Sequence, residues 1–329
     1  PAFKGVIEWQ TDNGPVALGM LQQLIENHGD GHSYMLERIS NFIERVLARN
    51  HTQLDPYFRK GTLLRPVGFD ELPDDLQVLL GNRAAEQARL LGLRTAEMHL
   101  AMTSANTSEF RPEEMSLHYQ RSLFSSMQSV TREAYQALEK SMNDWPPEVK
   151  QEAATIAYKK NDILEILKRI YSKKFDAVKI RTHGVYLLKK ILVTGNDLVI
   201  QDFNGNPLRT FSERRIKRSP LRDIAEMIAS FYYTAYEGFL TNNQISKEEM
   251  VRLLAFADQW AHYMCGFFIR AYLEKIGETS LLPKDHNDLE VLLQSYLLER
   301  AIKQLNVDVR TKSPWVIVSI RLIRSIIDA

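Results

Sequence analysis

The sequence predicts a mostly helical α+β protein, and three observations carry that expectation. Apolar residues recur at helical spacing over several long stretches, most densely after Pro220. Short β-branched runs are confined to the amino terminus and to residues 177–203. The chain of 329 residues is 44% apolar and 25% charged, which is ordinary globular composition. That length suggests two domains or two lobes and buries a large core without covalent staples.

The elements follow in chain order. Phe3 to Trp9 and Val16 to Ile25 alternate weakly about Asp12-Asn13-Gly14-Pro15 and read as a hairpin. Asn27-His28-Gly29-Asp30-Gly31 is a turn. After it, Ser33 is expected to cap a helix that carries Leu36, Ile39, Phe42, Ile43, Val46 and Leu47 on one face. Residues 50–82 read as loop-rich, and Ala84 to Met102 as helix. Glu113 to Ser141 places Leu123, Met127, Val130, Ala134 and Leu138 at helical spacing, and Asp144-Trp145-Pro146-Pro147 stops it. Glu148 to Tyr171 resumes the period through Ile156, Ile163, Ile166, Leu167 and Ile170, so an antiparallel helical hairpin is expected over 113–171. Ala177 to Thr182, Lys190 to Val193 and Leu198 to Phe203 are strand candidates for one small antiparallel sheet within 177–207. Thr194-Gly195-Asn196-Asp197 is the hairpin turn between the last two. Helices are expected at about 221–240, 247–277, 287–305 and 315–328. No internal repeat is present.

Charge and cysteine usage exclude several classes. Lys plus Arg is 42 and Asp plus Glu is 41, a net charge of +1, so the chain lacks the basic excess of a nucleic-acid binder despite the run Arg214-Arg215-Ile216-Lys217-Arg218. Cys265 is the single cysteine, which excludes an intrachain disulfide and a cysteine zinc site and points to a reducing, cytoplasmic compartment. No apolar run approaches the ~20 residues of a membrane span. The first residues lack the charged-then-apolar pattern of a secretory signal. The chain opens without Met, directly in strand-like sequence, which we read as a segment of a longer chain.

The densest polar cluster is His183-Gly184-Val185-Tyr186-Leu187-Leu188-Lys189-Lys190 followed by Asp202-Phe203-Asn204-Gly205-Asn206-Pro207. Strand, loop, hairpin and an Asp-Phe turn is the layout of the catalytic half of a kinase, where one loop supplies a base and a metal ligand and an Asp after the next strand holds Mg2+. Taken alone, it reads better as a plain hairpin that ends in a solvated Asp. Elsewhere His28 and His32 read as turn residues and His99 as a packed, hydrogen-bonded histidine.

The flanking sequence adds weight. Ser212-Glu213-Arg214-Arg215-Ile216-Lys217-Arg218-Ser219-Pro220-Leu221-Arg222-Asp223-Ile224-Ala225-Glu226-Met227 resembles the segment that follows the metal loop in bacterial maltokinases. Leu91 to His99, Tyr119 to Leu123, Phe231 to Tyr236, Phe268 to Leu273, Leu298 to Ala301 and Ser313-Pro314-Trp315 resemble that family as well, in register over nearly the whole chain. The resemblance implies a protein-kinase-like fold of the aminoglycoside-phosphotransferase type. Residues 1–32 would be the end of an amino-terminal lobe and its hinge, and 33–329 a helical carboxy-terminal lobe. ATP and Mg2+ are the implied cofactors, maltose or a related α-glucoside the implied substrate, and a trehalose synthase domain the implied partner. By the same resemblance His183 and position 185 belong to the catalytic loop and Asp202 to the metal site. Tyr186, Arg215, Trp260 and Tyr263 are candidates for contact with the sugar; for the aromatics of 260–267, core packing fits the pattern equally well.

The departures lie where the chemistry should be. The family's catalytic loop resembles His-Gly-Asp-Tyr-His-Leu-Gly-Gln and its metal loop Asp-Phe-Glu-Gly-Glu-Pro. Here the base position is Val185, the metal-binding Gln position is Lys190, and both Glu positions are amides, Asn204 and Asn206. These changes make the site about four charges more positive than the family pattern. Mg2+ demands hard anionic oxygens, and a positioned base contributes ~10²–10⁴-fold. Two functions are therefore expected to compete: a catalytically impaired, pseudokinase-like module of a trehalose synthase fusion, and an active maltokinase that makes maltose 1-phosphate.

Overall fold

Two alternating runs that meet at a left-handed glycine must turn back on each other, and they do. The computed structural model describes residues 1–12, 14–49, 54–63, 65–242, 245–277 and 279–328. In it β1 (Phe3–Thr11) pairs antiparallel with β2 (Gly14–Gln22), and Gly14 has φ +106°. Asn13 of the expected turn and residues 50–53 of the expected loop lie outside the described residues. Phe3, Ile7, Trp9, Leu18, Met20 and Leu21 of the hairpin are each more than half exposed. With no second layer on either face, the period-2 pattern has nothing to select it, which is why the alternation is weak.

Asp30, rather than Ser33, caps α1 (Gly31–Ala48). Its side chain accepts from the Ser33 backbone N–H at 2.8 Å, so Ser33 already lies inside the first turn. The segment before it pairs with the later hairpin: His28 N donates to Val193 O at 2.8 Å, and Val193 N to Gly29 O at 3.0 Å.

α3 (Asn82–Ser104) lies against α9 (Lys247–Ile276), and α8 (Leu221–Leu240) packs on α9, α10 (His286–Arg310), α1 and α11 (Val316–Ile327). Gly92 sets the α3–α9 approach, because a Cβ there would stand 2.1 Å from the Phe268 carbonyl oxygen. α2 (Asp74–Leu80) joins α1 to α3, and α7 (Phe211–Arg215) precedes α8. No helix among the described residues is long and apolar enough to cross a membrane.

Three expectations are corrected. Residues 113–114 are not helical; they form β3 (Glu113–Glu114), and α4 (Leu117–Ser141) begins after Ser116, whose hydroxyl caps it by accepting from Tyr119 N at 3.2 Å. The small sheet over 177–207 is two separate ladders. β4 (Val178–Lys179) pairs with β3, whereas β5 (Ile191–Thr194) pairs with β6 (Asp197–Ile200). The salt bridge of Lys179 to Glu113, 2.9 Å, accompanies the first ladder. Lastly, the helix over 148–171 is broken into α5 (Pro147–Ala157), α6 (Lys160–Lys168) and a 3₁₀ turn. The break carries no Pro or Gly. It lets Ile156 and Ile163 both reach the core, and the Tyr135 hydroxyl, 21 positions away on α4, donates to the Ile156 carbonyl at 3.0 Å. The same carbonyl accepts from Lys159 N at 2.9 Å, and the second donor, from another helix, leaves no local trace.

Candidate active site

Helix α8 fixes the position of the catalytic-type loop. Asp223 sits in its first turn, where a negative charge is favoured by the helix dipole, and is 1% exposed. Its carboxylate accepts from the backbone N–H of His183 at 2.7 Å and of Gly184 at 3.1 Å, and from the ring Nε2 of His99 at 3.2 Å. His99 Nδ1 faces the Tyr272 hydroxyl at 3.0 Å. A buried carboxylate is thus satisfied three times, and two successive loop amides are held by the same side chain. Gly184 has φ +86°, a conformation open to glycine at little cost.

The loop is tied to the strand end beside it. His183 Nε2 donates to the Gln201 carbonyl at 2.9 Å, and its ring lies between Tyr186 (5.2 Å) and Phe203 (4.8 Å). His183 Nδ1 is buried without a hydrogen-bond partner. With its donor spent on a carbonyl, His183 acts as a strut. Val185 follows, half-buried, and offers no titratable atom.

Asp202 comes next, on a backbone with φ +66°. Non-glycine residues reach that region at a cost of about 1 kcal/mol or more, and Asp is among those that tolerate it. Both carboxylate oxygens are engaged by the chain itself. Oδ2 is ion-paired to the Lys190 ammonium, and Oδ1 accepts from the Asn204 amide nitrogen. Asn206 turns back into its own loop and accepts from Leu208 N at 2.9 Å. Among the described residues no three His, Cys, Asp or Glu side chains converge as a metal site. The residues present therefore do not fit Mg2+. The single carboxylate is occupied by a cation, and its neighbours are neutral amides, whereas Mg2+ dehydrates reluctantly and demands anionic oxygens in octahedral array.

The structure brings His183, Val185, Lys190, Asp202 and Asn204 together. It does not bring the aromatic candidates to them. Tyr186 is 0% exposed, with its hydroxyl on Thr95 Oγ1 at 2.7 Å under α3, so it presents nothing to a sugar. Trp260 and Tyr263 are core residues, at 0% and 1% exposure, and the Tyr263 hydroxyl accepts from Lys60 N at 3.1 Å. Arg215 is exposed, with its guanidinium over the Phe211 ring at 4.8 Å. Cys265 is buried, and burial pushes its thiol pKa well up, as an inert core cysteine requires.

From α9 it is Asp258 and His262 that line a cavity of about 440 Å³, together with Arg59, Tyr232, Gln294 and Arg321. Tyr232 lies nine residues along α8 (Leu221–Leu240) from Asp223, roughly 13 Å at 1.5 Å per residue, so this cavity flanks the middle of the helix, away from the loop. Its wall is a buried network that sequence reading missed. Arg321 donates to Asp258 at 2.6 Å and to the Tyr236 hydroxyl at 2.7 Å. The spacing of 63 residues between Arg321 and Asp258 carries no signal. A second network, close to the loop, was likewise missed: Arg222 and Lys303 both pair with Glu299, which is 5% exposed.

No family model matches the sequence. Among solved structures the chain is similar to a glucosamine kinase (crystal form B) at 18% identity and TM-score 0.69, covering 100% of this chain and 66% of that one. It is also similar to glucosamine kinase in complex with glucosamine, ADP and inorganic phosphate, at 18% identity and TM-score 0.67, covering 98% and 63%. The chain thus spans just under two thirds of the length of those proteins, and the likeness establishes a kinase-like fold.

Proposed function

We propose that this chain is a sugar-kinase-like module, maltokinase-like and of the aminoglycoside-phosphotransferase type, that has lost metal-dependent phosphoryl transfer. The observation that carries this reading is the Lys190 ammonium seated on Asp202, the one carboxylate of the site. In phosphoryl transfer the protein supplies positioning and charge neutralisation. The frame for positioning is present in Asp223, His99 and His183, whereas the groups that would gather the cation are replaced by a lysine and two amides. The glucosamine kinase complex with ADP supports a nucleotide-related ancestry for the cleft, and ATP is the nucleotide proposed. A role in cytoplasmic α-glucan metabolism, beside a trehalose synthase domain and in contact with maltose or a related α-glucoside, extends the resemblance of 212–227.

Calorimetric titration of Mg2+ tests this reading. The wild-type chain is expected to bind Mg2+ no better than millimolar. Lys190→Gln with Asn204→Glu and Asn206→Glu is expected to bind at least tenfold tighter, because three changes in the same electrical direction rebuild an anionic shell. Submillimolar binding by the wild type, abolished in Asp202→Ala, would restore the active-kinase reading.

A further inference from the structure

Beside the loop, cations gather around one buried acid. Glu299 of α10 is ion-paired to Arg222 of α8 and, at 2.6 Å, to Lys303. The Arg222 guanidinium also lies 5.6 Å from the centre of the Tyr296 ring. Arg218 lies four residues before Arg222, ahead of α8, and is anchored by its backbone, which exchanges two hydrogen bonds of 2.8 Å with Ile180. Arg209, just past the Asp202 loop, acts electrostatically on both Arg218 and Lys303. Arg222, Lys303 and Arg218 therefore share a single buried carboxylate, and Arg209 adds its charge beside them. The other acid that senses Arg209 and Arg218 is Glu213, whose Oε2 is committed to the Thr210 cap at 2.8 Å.

Besides the buried Tyr296 hydroxyl, two groups in this cluster lack a partner. The half-buried Arg218 guanidinium makes no hydrogen bond or ion pair with the described chain, and burial together with Arg222 and Arg209 pushes its pKa down. The Tyr119 hydroxyl, which senses Arg218, Arg222 and Glu299, is shielded from solvent and has no hydrogen-bond partner. What both lack is an acceptor with negative charge. Buried polar groups and cations are ordinarily satisfied, and a guanidinium is matched by the oxygens of a phosphate.

We propose that this cluster is an anion site for a phosphate group, free or carried by a small sugar, bound by Arg218 and Arg209, with the Tyr119 hydroxyl at its inner edge and the Arg222–Glu299–Lys303 set as its fixed wall. The inference deepens the reading above by naming the ligand class: a sugar-kinase-like module that takes a phosphorylated ligand in place of a neutral sugar to be phosphorylated. It stands apart from the metal question, because none of its residues contacts Asp202.

Thermal-shift and calorimetric titrations of the full chain, at constant ionic strength set with chloride, test it with inorganic phosphate, glucose 1-phosphate, glucose and ADP. Phosphate and glucose 1-phosphate are expected to raise Tm and glucose to leave it unchanged. Tighter binding of glucose 1-phosphate would identify a sugar phosphate as the ligand, and equal binding would identify free phosphate. Arg218→Gln and Arg209→Gln are each expected to weaken phosphate at least tenfold, whereas exposed Arg132→Gln leaves it unchanged. Unliganded Arg218→Gln is expected to melt no lower than wild type, since it removes an unpaired cation; should it fail to fold, Arg209→Gln carries the test. Phosphate binding no tighter than chloride, binding by ADP alone, or full retention in Arg209→Gln would overturn the proposal. The Mg2+-shell variant separates the two readings, because it alters metal binding and leaves phosphate binding as in wild type.

Discussion

The two ends of the catalytic-type loop are built to different standards. At its base, Asp223 is buried, accepts three hydrogen bonds from His183, Gly184 and His99, and fixes the loop to α8. At its open end, Asp202 is about a third exposed, sits on a left-handed backbone, and is neutralised by Lys190. The base is the part that folding itself needs, since an unsatisfied amide or carboxylate there costs stability directly. The open end contributes little to folding, so its residues can change sign without loss of the scaffold. A kinase-like frame and kinase chemistry are thus separable, and the proposed function is that here they have separated.

The largest expected effect falls at the base. Asp223→Ala leaves two loop amides and buried His99 without an acceptor and should cost about 3–5 kcal/mol, read as a shift in the denaturant midpoint. Lys190→Gln at the half-exposed end should change stability by less than about 1 kcal/mol. If the two variants melted alike, the distinction between frame and face would be wrong.

Acid gives a smaller effect of known direction. Burial alone would push the Glu299 carboxyl up, but the charges of Arg222 and Lys303 outweigh it and hold the pKa down at about 2. A carboxyl whose pKa is lower folded than unfolded contributes stability above the unfolded value and loses it as pH falls through the folded one. The window is therefore from about 4.5 down to about 2. The contribution is on the order of 3 kcal/mol at neutral pH. Denaturation of wild type and Glu299→Gln across this range should show a gap that is widest near neutrality and closes towards pH 2. A gap independent of pH would remove Glu299 from the frame.

Much of the frame is legible in the sequence, and the reasons are local. The amphipathic period of 221–240 and Asp223 at a helix start are readable because a helix repeats its environment every 3.6 residues. The strand pair about Gly195 is readable because a two-residue turn is a short-range code. The break at Tyr158 is not readable, since it carries no Pro or Gly and Tyr135 adds its donor from another helix. Nor is the division of the sheet, because two residues of extended chain take whichever edge is nearest. At the site, the residue types at 185, 190, 204 and 206 announce a loss of negative charge, but that Lys190 lies on Asp202 is a fact of three dimensions. For Trp260 and Tyr263 the sequence leaves two readings open, because aromatics at helical spacing serve a core and a sugar pocket equally well, and the structure buries both. The pairing of Arg222 with Glu299, 77 positions apart, is invisible along the chain.

The most direct test of the separation is turnover. The full chain, supplied with ATP, Mg2+ and maltose or glucosamine, should yield no sugar phosphate above the protein-free background. Phosphorylation at about 1 s⁻¹, the low end for kinases, dependent on Mg2+ and abolished by Asp202→Ala, would contradict the account, because the Lys190-bound carboxylate would then be a working metal ligand.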